Sequence, residues 1–136
     1  MKFDTKIAVV LRDDLPVWQK LNVTAFVVSA LGTAFPGAIG EPYEDSSGRV
    51  YHPMFVQPVL VFAGTSVEVR GAYERAVGRD VRLAIYTEEL FGTGNDVDNR
   101  AAVRAVKSED LRLVGLAMRG DKKVLDKVLK GLSLHP

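Results

Sequence analysis

The sequence predicts an α/β fold: a three-layer α/β/α sandwich with helices on both faces of a four-stranded sheet. Three observations lead to this prediction. Strand-like segments alternate with helical segments along the chain, the order typical of α/β domains. The strand-like segments are apolar on both faces, as in a sheet that is covered on each side. The chain has 136 residues, the size of one domain with its own core, so we predict a single domain over residues 1–136.

The four predicted strands are short apolar segments rich in β-branched residues. They lie at residues 6–12, 58–63, 81–87 and 111–118. The first contains the unbroken run Ile-Ala-Val-Val-Leu, which is typical of a central strand buried on both faces. The last strand ends at a tight break, Arg119–Asp121, before the final helix.

Helices are predicted between and after these strands, at residues 22–33, 65–77, 98–106 and 122–132. Asn22 can cap the first helix, and the residues after it are apolar nearly all round, so we expect this helix to be largely buried. Thr65 and Glu68 have the spacing of a capping box. Asp121 can cap the last helix, which has an apolar stripe on one face and lysines mostly on the other.

Residues 36–58 differ in character from the rest of the chain, because four prolines and three glycines fall within them. Within this stretch, residues 43–52 predict a small hairpin or ordered loop that turns at residues 45–48. As the longest irregular stretch it is a candidate lid, and a plain connection is the alternative.

Composition excludes several classes of function. The sequence has no cysteine, which rules out disulfides, zinc-thiolate sites, iron–sulfur clusters and thiol nucleophiles, and fits a reducing compartment. Its net charge of +1 is too small for a surface that grips DNA through many phosphates. No apolar stretch approaches the roughly 20 residues of a membrane span, and the run at residues 7–11 is too short for a signal-peptide core. We therefore expect a soluble cytoplasmic protein that binds neither DNA nor a membrane.

Lys20 and three polar residues form the candidate catalytic site. A lysine and free amides at the start of a helix make a site for an anion. Asp14 follows the first strand and Glu89 the third, and ligands in α/β sheets lie beyond the carboxyl ends of strands. If these two strands are parallel, the acids share one rim with Lys20 and suit ester or amide hydrolysis by water, with Thr93 donating a hydrogen bond. The alternative is that these are loop and turn residues on a solvated surface.

Further residues are candidates for binding rather than chemistry. Trp18 can stack on a ring or base, or anchor the loop above it; Asn22 and Gly92 are the other candidate ligand contacts. His52 and His135 are the only histidines and lack the spacing of metal ligands. We expect no metal and no cofactor.

Two segments resemble type II peptidyl-tRNA hydrolases. Residues 113–134 are similar to the C-terminal strand and helix of that family, and residues 10–15 followed by Lys20 are similar to its opening strand and its lysine. The glutamine, cysteine and histidine that follow this lysine in the hydrolases are absent here. Glu89 and Thr93 can be laid over the acid and threonine of the family's Asp-Ala-Gly-x-Thr motif, with the glycine out of register.

The sequence is similar over nearly its whole length to the uncharacterised bacterial DUF2000 family. The similarity lies in residues 15–26, 57–61 and 91–94 and in the Leu-His-Pro ending. That family is thought to share the type II peptidyl-tRNA hydrolase fold. The resemblance therefore implies a mixed sheet with helices on both sides, often in a homodimer.

Two functions follow as hypotheses. The first is a small hydrolase or tRNA-related enzyme that acts on an ester or amide, in a tRNA-linked or small anionic substrate. The alternative is a non-catalytic domain that binds a small anionic ligand or a partner protein at the same rim. A third interpretation makes the lysine and acids structural and places function at an oligomer interface.

Overall fold

A computed structural model describes residues 2–136 as a mixed α/β fold with a five-stranded sheet, a separate two-stranded hairpin and four α-helices. The strands are β1 (Thr5–Arg12), β2 (Tyr43–Glu44), β3 (Val50–Tyr51), β4 (Val59–Gly64), β5 (Ala84–Thr87), β6 (Leu113–Asp121) and β7 (Ser133–Leu134). The helices are α1 (Val17–Ala34), α2 (Ser66–Gly78), α3 (Asp96–Arg104) and α4 (Lys122–Val128).

The main sheet has the strand order β5-β6-β1-β4-β7, with β1 in the centre as its apolar run predicts. Strand β1 is parallel to β4 and antiparallel to β6, and β5 and β7 are each antiparallel to their neighbour. Strands β1, β4 and β5 therefore run in one direction. Their carboxyl ends lie together with the amino ends of β6 and β7, and we call this end of the sheet the rim.

Helices cover both faces of the sheet, as predicted. On one face, Val23 and Val27 of α1 pack with the buried Val9 of β1. On the other face, side chains of α2 and α4, among them Val69 and Leu125, pack with the β1 residues that point the opposite way. The alternation of side chains along β1 thus supplies both cores, which is the physical reason for its continuous apolar sequence.

The expectation of four strands is corrected to five. Helix α4 ends at Val128 rather than at residue 132, and a turn with Gly131 at φ +87° leads into β7. Leu134 pairs with Phe62, and the backbone N–H of His135 donates to the carbonyl of Val61 at 2.8 Å. A strand of two residues has no periodicity of its own, so only its pairing with β4 identifies it.

Helix α1 starts five residues earlier than predicted, at Val17, with Pro16 rather than Asn22 before its first turn. Its burial is also less than expected, because one helix above a sheet buries a single stripe and leaves Trp18, Leu21 and Phe26 exposed. Although α1 is the longest helix, none of the helices in residues 2–136 is long and apolar enough to span a membrane.

The other elements follow the predictions with changed bounds. The third predicted strand is confirmed as β5 but begins at Ala84, and β6 continues through residues 119–121, where a break was predicted. Strands β2 and β3 form the predicted hairpin, in which the carboxylate of Asp45 accepts the backbone N–H groups of Ser47 and Arg49 and Gly48 has φ +83°.

Candidate functional site

Helix α1 carries the candidate residues on two opposite sides. Trp18, Asn22 and Phe26 follow one another at four-residue spacing, so they share the side that faces β5. Lys20 lies two residues after Trp18, on the side that faces β7. The start of α1 therefore contributes to two separate sites.

The first site is a cavity of about 410 Å³ between α1 and residues 86–99. We call it the aromatic cleft; it is lined chiefly by Trp18, Asn22, Phe26, Tyr86, Phe91, Thr93 and Asn99. Tyr86 is buried, and its ring centroid lies 5.7 Å from that of Phe26 and 5.2 Å from that of Phe91. Burial raises the pKa of the Tyr86 hydroxyl, and a hydrogen bond with Asn22 acts in the opposite direction. Tyr86 thus forms an apolar, neutral inner wall.

The polar groups of the aromatic cleft come from the segment after β5. The hydroxyl of Thr93 lies 3.0 Å from the carbonyl of Leu90 and is also within hydrogen-bond distance of Oδ1 of Asn99. Asp96 is ion-paired with Arg100 on the same helix. Hydroxyl and carboxamide groups therefore dominate the polar lining.

The second site is the pair formed by Lys20 and His135. The ammonium nitrogen of Lys20 lies 3.1 Å from Nε2 of His135, and Nδ1 of the same ring lies 2.9 Å from the carbonyl oxygen of Pro136. An Nδ1–H group that donates to this carbonyl leaves Nε2 to accept from Lys20, and these contacts assign the tautomer. Throughout residues 2–136, no aspartate or glutamate forms a salt bridge with either side chain.

Asp14 and Glu89 lie in a third group, an ion-pair network at the rim. Nε of Arg12 lies 2.6 Å from the Asp14 carboxylate, and Arg12 also pairs with Glu88. Arg112 lies 3.3 Å from Glu88 and 2.8 Å from Glu89. A hydrogen bond to its own backbone N–H, followed by that with Arg112, lowers the pKa of Glu89. Arginines thus hold the carboxylates of the rim.

The four predicted catalytic residues lie at three separate places. Asp14 and Glu89 share the rim network because β1 and β5 run in the same direction, as the hydrolase hypothesis required. Lys20 instead pairs with His135 beside β7, and Thr93 lies in the aromatic cleft. Strands β5 and β7 are the two edges of the sheet, four strand spacings or roughly 19 Å apart. These contacts do not bring Lys20 to Glu89.

Two of the three predicted ligand contacts lie in the aromatic cleft. Trp18 and Asn22 line the aromatic cleft, whereas Gly92 is exposed at the end of a 3₁₀ turn and is not part of its lining. Sequence reasoning considered His135 only as a metal ligand and as part of the Leu-His-Pro ending, and it missed Asn99. Asn99 carries no signal until the fold places it beside Thr93.

Among the described residues, 2–136, no three His, Cys, Asp or Glu side chains lie together as a metal site would require. His52 is exposed in the segment after β3.

Fold and sites together define a small mixed α/β protein with ligand-sized surface cavities. The chain belongs to the DUF2000 family, described as proteins of unknown function, whose family model matches residues 5–136. A solved structure of a protein of unknown function from Agrobacterium tumefaciens strain C58 is 46% identical, with a TM-score of 0.96 over 99% of this chain and 100% of that one. No curated protein matches the sequence significantly.

Proposed function

We propose that this protein is a domain of peptidyl-tRNA-hydrolase-II-like fold that binds a small anionic ligand at Lys20 and His135. One observation carries the proposal: the ammonium of Lys20 lies 3.1 Å from an imidazole nitrogen, and no aspartate or glutamate among residues 2–136 forms a salt bridge with it. An ammonium has three N–H donors, and the bond to His135 uses one of them. The other two can turn towards a phosphate or carboxylate oxygen while the bond to His135 persists.

The position of Lys20 on α1 adds to the attraction for an anion. Helix α1 has 18 residues, with no acidic side chain in its first turn and no side-chain hydrogen bond at its cap. The partial positive charge of the helix start is therefore not compensated locally, and Lys20 lies within this same turn. Ligand and helix would attract each other at short range, which favours a small oxyanion over a bulky one.

Calorimetric titration with inorganic phosphate and with acetate tests the proposal. We expect saturable binding, weakened about tenfold or more in Lys20→Ala, because a charge-assisted hydrogen bond is lost. Lys127→Ala is the matched control, since this exposed lysine belongs to α4, which packs on the face of the sheet opposite α1. Equal affinities in wild type, Lys20→Ala and Lys127→Ala would mean that the anions bind elsewhere.

The imidazole nitrogens give a second, local readout. His52 and His135 are the only histidines, so the variant His52→Asn leaves a single imidazole to observe by nitrogen NMR. We expect phosphate to move the Nε2 resonance of His135 in this variant. A resonance that stays unchanged at phosphate concentrations which saturate the calorimetric signal would exclude the pair as the site.

Hydrolysis of an ester or amide is the second candidate function, and the orientation of His135 favours it. The contact at Nδ1 fixes the ring, so once Lys20 turns from Nε2 to stabilise an oxyanion, the freed Nε2 can accept a proton from water. This candidate assigns water activation to His135, because arginines hold Asp14 and Glu89. The resemblance to type II peptidyl-tRNA hydrolases makes a tRNA-linked substrate the first to test.

Cleavage of an N-blocked aminoacyl-tRNA by the purified protein tests hydrolysis. If the candidate is correct, wild type turns the substrate over and both Lys20→Ala and His135→Asn lose activity by about a hundredfold or more, in line with the usual contribution of general acid–base catalysis. Failure of the wild type to cleave would leave anion binding as the function of the pair. Activity that survives both substitutions would assign catalysis to another site.

A further inference from the structure

The aromatic cleft lies on the other side of α1 from Lys20 and His135, and the proposed function does not use it. We propose that this cleft is a separate binding site for a nucleobase. The proposal rests on the shape of the cleft, its exposed aromatic rings, the carboxamides at its edge and its charge.

The size and shape of the cleft suit a flat ring. Its volume of about 410 Å³ falls in the range of small-molecule sites, roughly 300–1,000 Å³. Tyr86, which is 4% exposed, closes its inner end, whereas Trp18 and Phe26 are 63% and 51% exposed at its mouth. A planar molecule can therefore slide between α1 and the segment after β5.

The aromatic side chains offer stacking surfaces. Phe26 meets Tyr86 edge-on, at an interplanar angle of 70°, so the Phe26 ring is held in place. Trp18 lies two helical turns before Phe26 on the same side of α1 and has most of its surface open. Base stacking on such rings requires a π-face and no particular base, so it supplies affinity without strong preference among bases.

Carboxamides at the edge supply hydrogen bonds that match a base. Oδ1 of Asn99 is close enough to accept from the Thr93 hydroxyl, which leaves both N–H groups of the Asn99 amide for a ligand. Asn22 of α1 also lines the cleft. Asparagine carboxamides are among the groups that recognise the edges of bases, adenine above all.

The charge of the cleft distinguishes a base from a phosphate. No lysine or arginine belongs to its lining, and its one acid, Asp96, is ion-paired with Arg100. A bound phosphate would have no cation to meet it there. The cleft therefore selects the neutral ring of a nucleoside, in contrast to the cationic pair on the opposite side of α1.

Trp18 is the only tryptophan of the chain, so its fluorescence reports directly on the cleft. We expect adenosine to quench this fluorescence saturably, when tryptophan is excited at the long-wavelength edge to avoid absorption by the base. Ribose, which has no aromatic ring to stack, should leave it unchanged. Quenching by adenosine that rises linearly without saturation would overturn the proposal.

Variants of the lining residues test whether adenosine binds in the aromatic cleft. Asn99→Ala should weaken adenosine binding about tenfold or more, since one base-edge contact is lost. Trp18→Ala, followed by calorimetry because it removes the fluorophore, should do the same through lost stacking. Leu21→Ala, at an exposed position on the outer side of α1, is the control and should bind normally, with circular dichroism confirming the fold of each variant.

Lys20→Ala separates the two sites. Because Lys20 is not part of the cleft, this variant should bind adenosine as wild type does, even if its affinity for phosphate is lost. Wild-type affinity for adenosine in both Asn99→Ala and Trp18→Ala would overturn the nucleobase site and leave the anion site untouched. Loss of adenosine binding in Lys20→Ala would also overturn it, because the two ligands would then share one place.

Discussion

Gly115, in the middle of β6, shows at the scale of one residue how closely α1 packs on the sheet. A Cβ atom at this position would overlap Cγ1 of Val23, and its next neighbours would be side chains of Leu11 and Tyr86. No flexible chain end can move aside here, because Val23 is fully buried and β-branched. The close approach of helix and strand thus depends on the missing side chain.

Gly115→Ala is therefore expected to destabilise the protein by about 1–3 kcal/mol, the usual range for overpacking a core. Urea denaturation gives the change in the free energy of unfolding. Gly78→Ala is the matched control, because a Cβ there meets nothing within 4 Å. A Gly115→Ala variant as stable as Gly78→Ala would show that α1 can move away from β6 at little cost.

The contacts of Glu89 make the stability of the fold depend on pH. Hydrogen bonds with its own backbone N–H and with Arg112 lower its pKa in the folded state. Because the folded pKa lies below the unfolded one, these contacts stabilise the fold above the unfolded value of about 4.3. The contribution falls away as the pH drops through the folded pKa.

Glu89→Gln should accordingly lower the free energy of unfolding at neutral pH and converge with wild type in acid. Urea denaturation at a series of pH values measures this difference. Glu109→Gln, at an exposed acid that forms no salt bridge within residues 2–136, should follow wild type throughout. A Glu89→Gln difference that is constant with pH would contradict an ionic origin.

Individual residues were predictable where their partner is near in sequence. Thr65 and Glu68, three positions apart, form the capping box that their spacing predicts. Lys20 has its partner at His135, and neither the distance along the chain nor the residue types indicate this contact. The sequence predicted Lys20 just before the first helix, whereas it lies within the first turn of α1, and its side of the helix was not predictable.

At the scale of elements, the capping box at the start of α2 is the clearest link from sequence to stability. The Thr65 hydroxyl accepts the backbone N–H of Glu68 at 3.2 Å, and the Glu68 carboxylate accepts that of Thr65 at 2.9 Å. Thr65→Ala should lower the free energy of unfolding by about 1 kcal/mol. Thr65→Ser keeps the hydroxyl and should stay near wild type in the same urea titration; equal losses in both would assign the effect to the methyl group.

The predicted helix boundaries are wrong where packing overrides local preference. Helix α1 begins at Val17 because Pro16 fits the position before a helix, whereas Asn22 was predicted as the cap on its side-chain chemistry alone. Helix α4 is shorter than its apolar spacing predicts, because Leu129 and Leu132 still pack into the core from the turn that follows it. An apolar stripe shows which residues are buried and leaves open whether the backbone remains helical.

On the scale of the whole molecule, alternation of strands and helices predicted the α/β class and the two helical layers. Strand order was not predictable, because pairing between β1 and β6 joins residues as far apart as Thr5 and Asp121. Of the candidate site residues, Trp18, Asn22 and Thr93 line one cleft, whereas Lys20 pairs with His135 and Glu89 with Arg112.

The exposed apolar residues of α1 bear on assembly. Val17 and Leu21 are 72% and 67% exposed, and the hairpin presents Val50 and Tyr51 as well. We propose that a second copy of the chain covers the side of α1 that carries Val17 and Leu21, in keeping with the homodimer that the family resemblance implies.

Light scattering after gel filtration should then give the mass of two chains for wild type and of one chain for Leu21→Glu. Val67→Glu is the matched control, since Val67 is 78% exposed on α2, which covers the opposite face of the sheet. A monomeric wild type would contradict the dimer, and a Leu21→Glu variant that stays dimeric would place the interface elsewhere.

The central position of β1 bears on how the chain folds during synthesis. This strand leaves the ribosome well before its partner on one side, β6, which is made only after most of the other elements. Until β6 arrives, the apolar β1 has an unpaired edge and nascent α1 lacks most of the sheet surface on which it packs, since it lies chiefly over β6 and β5. Folds that depend on such long-range pairing form slowly, through intermediates that are prone to aggregate. We therefore expect chaperones that shield nascent chains to raise the yield of folded protein.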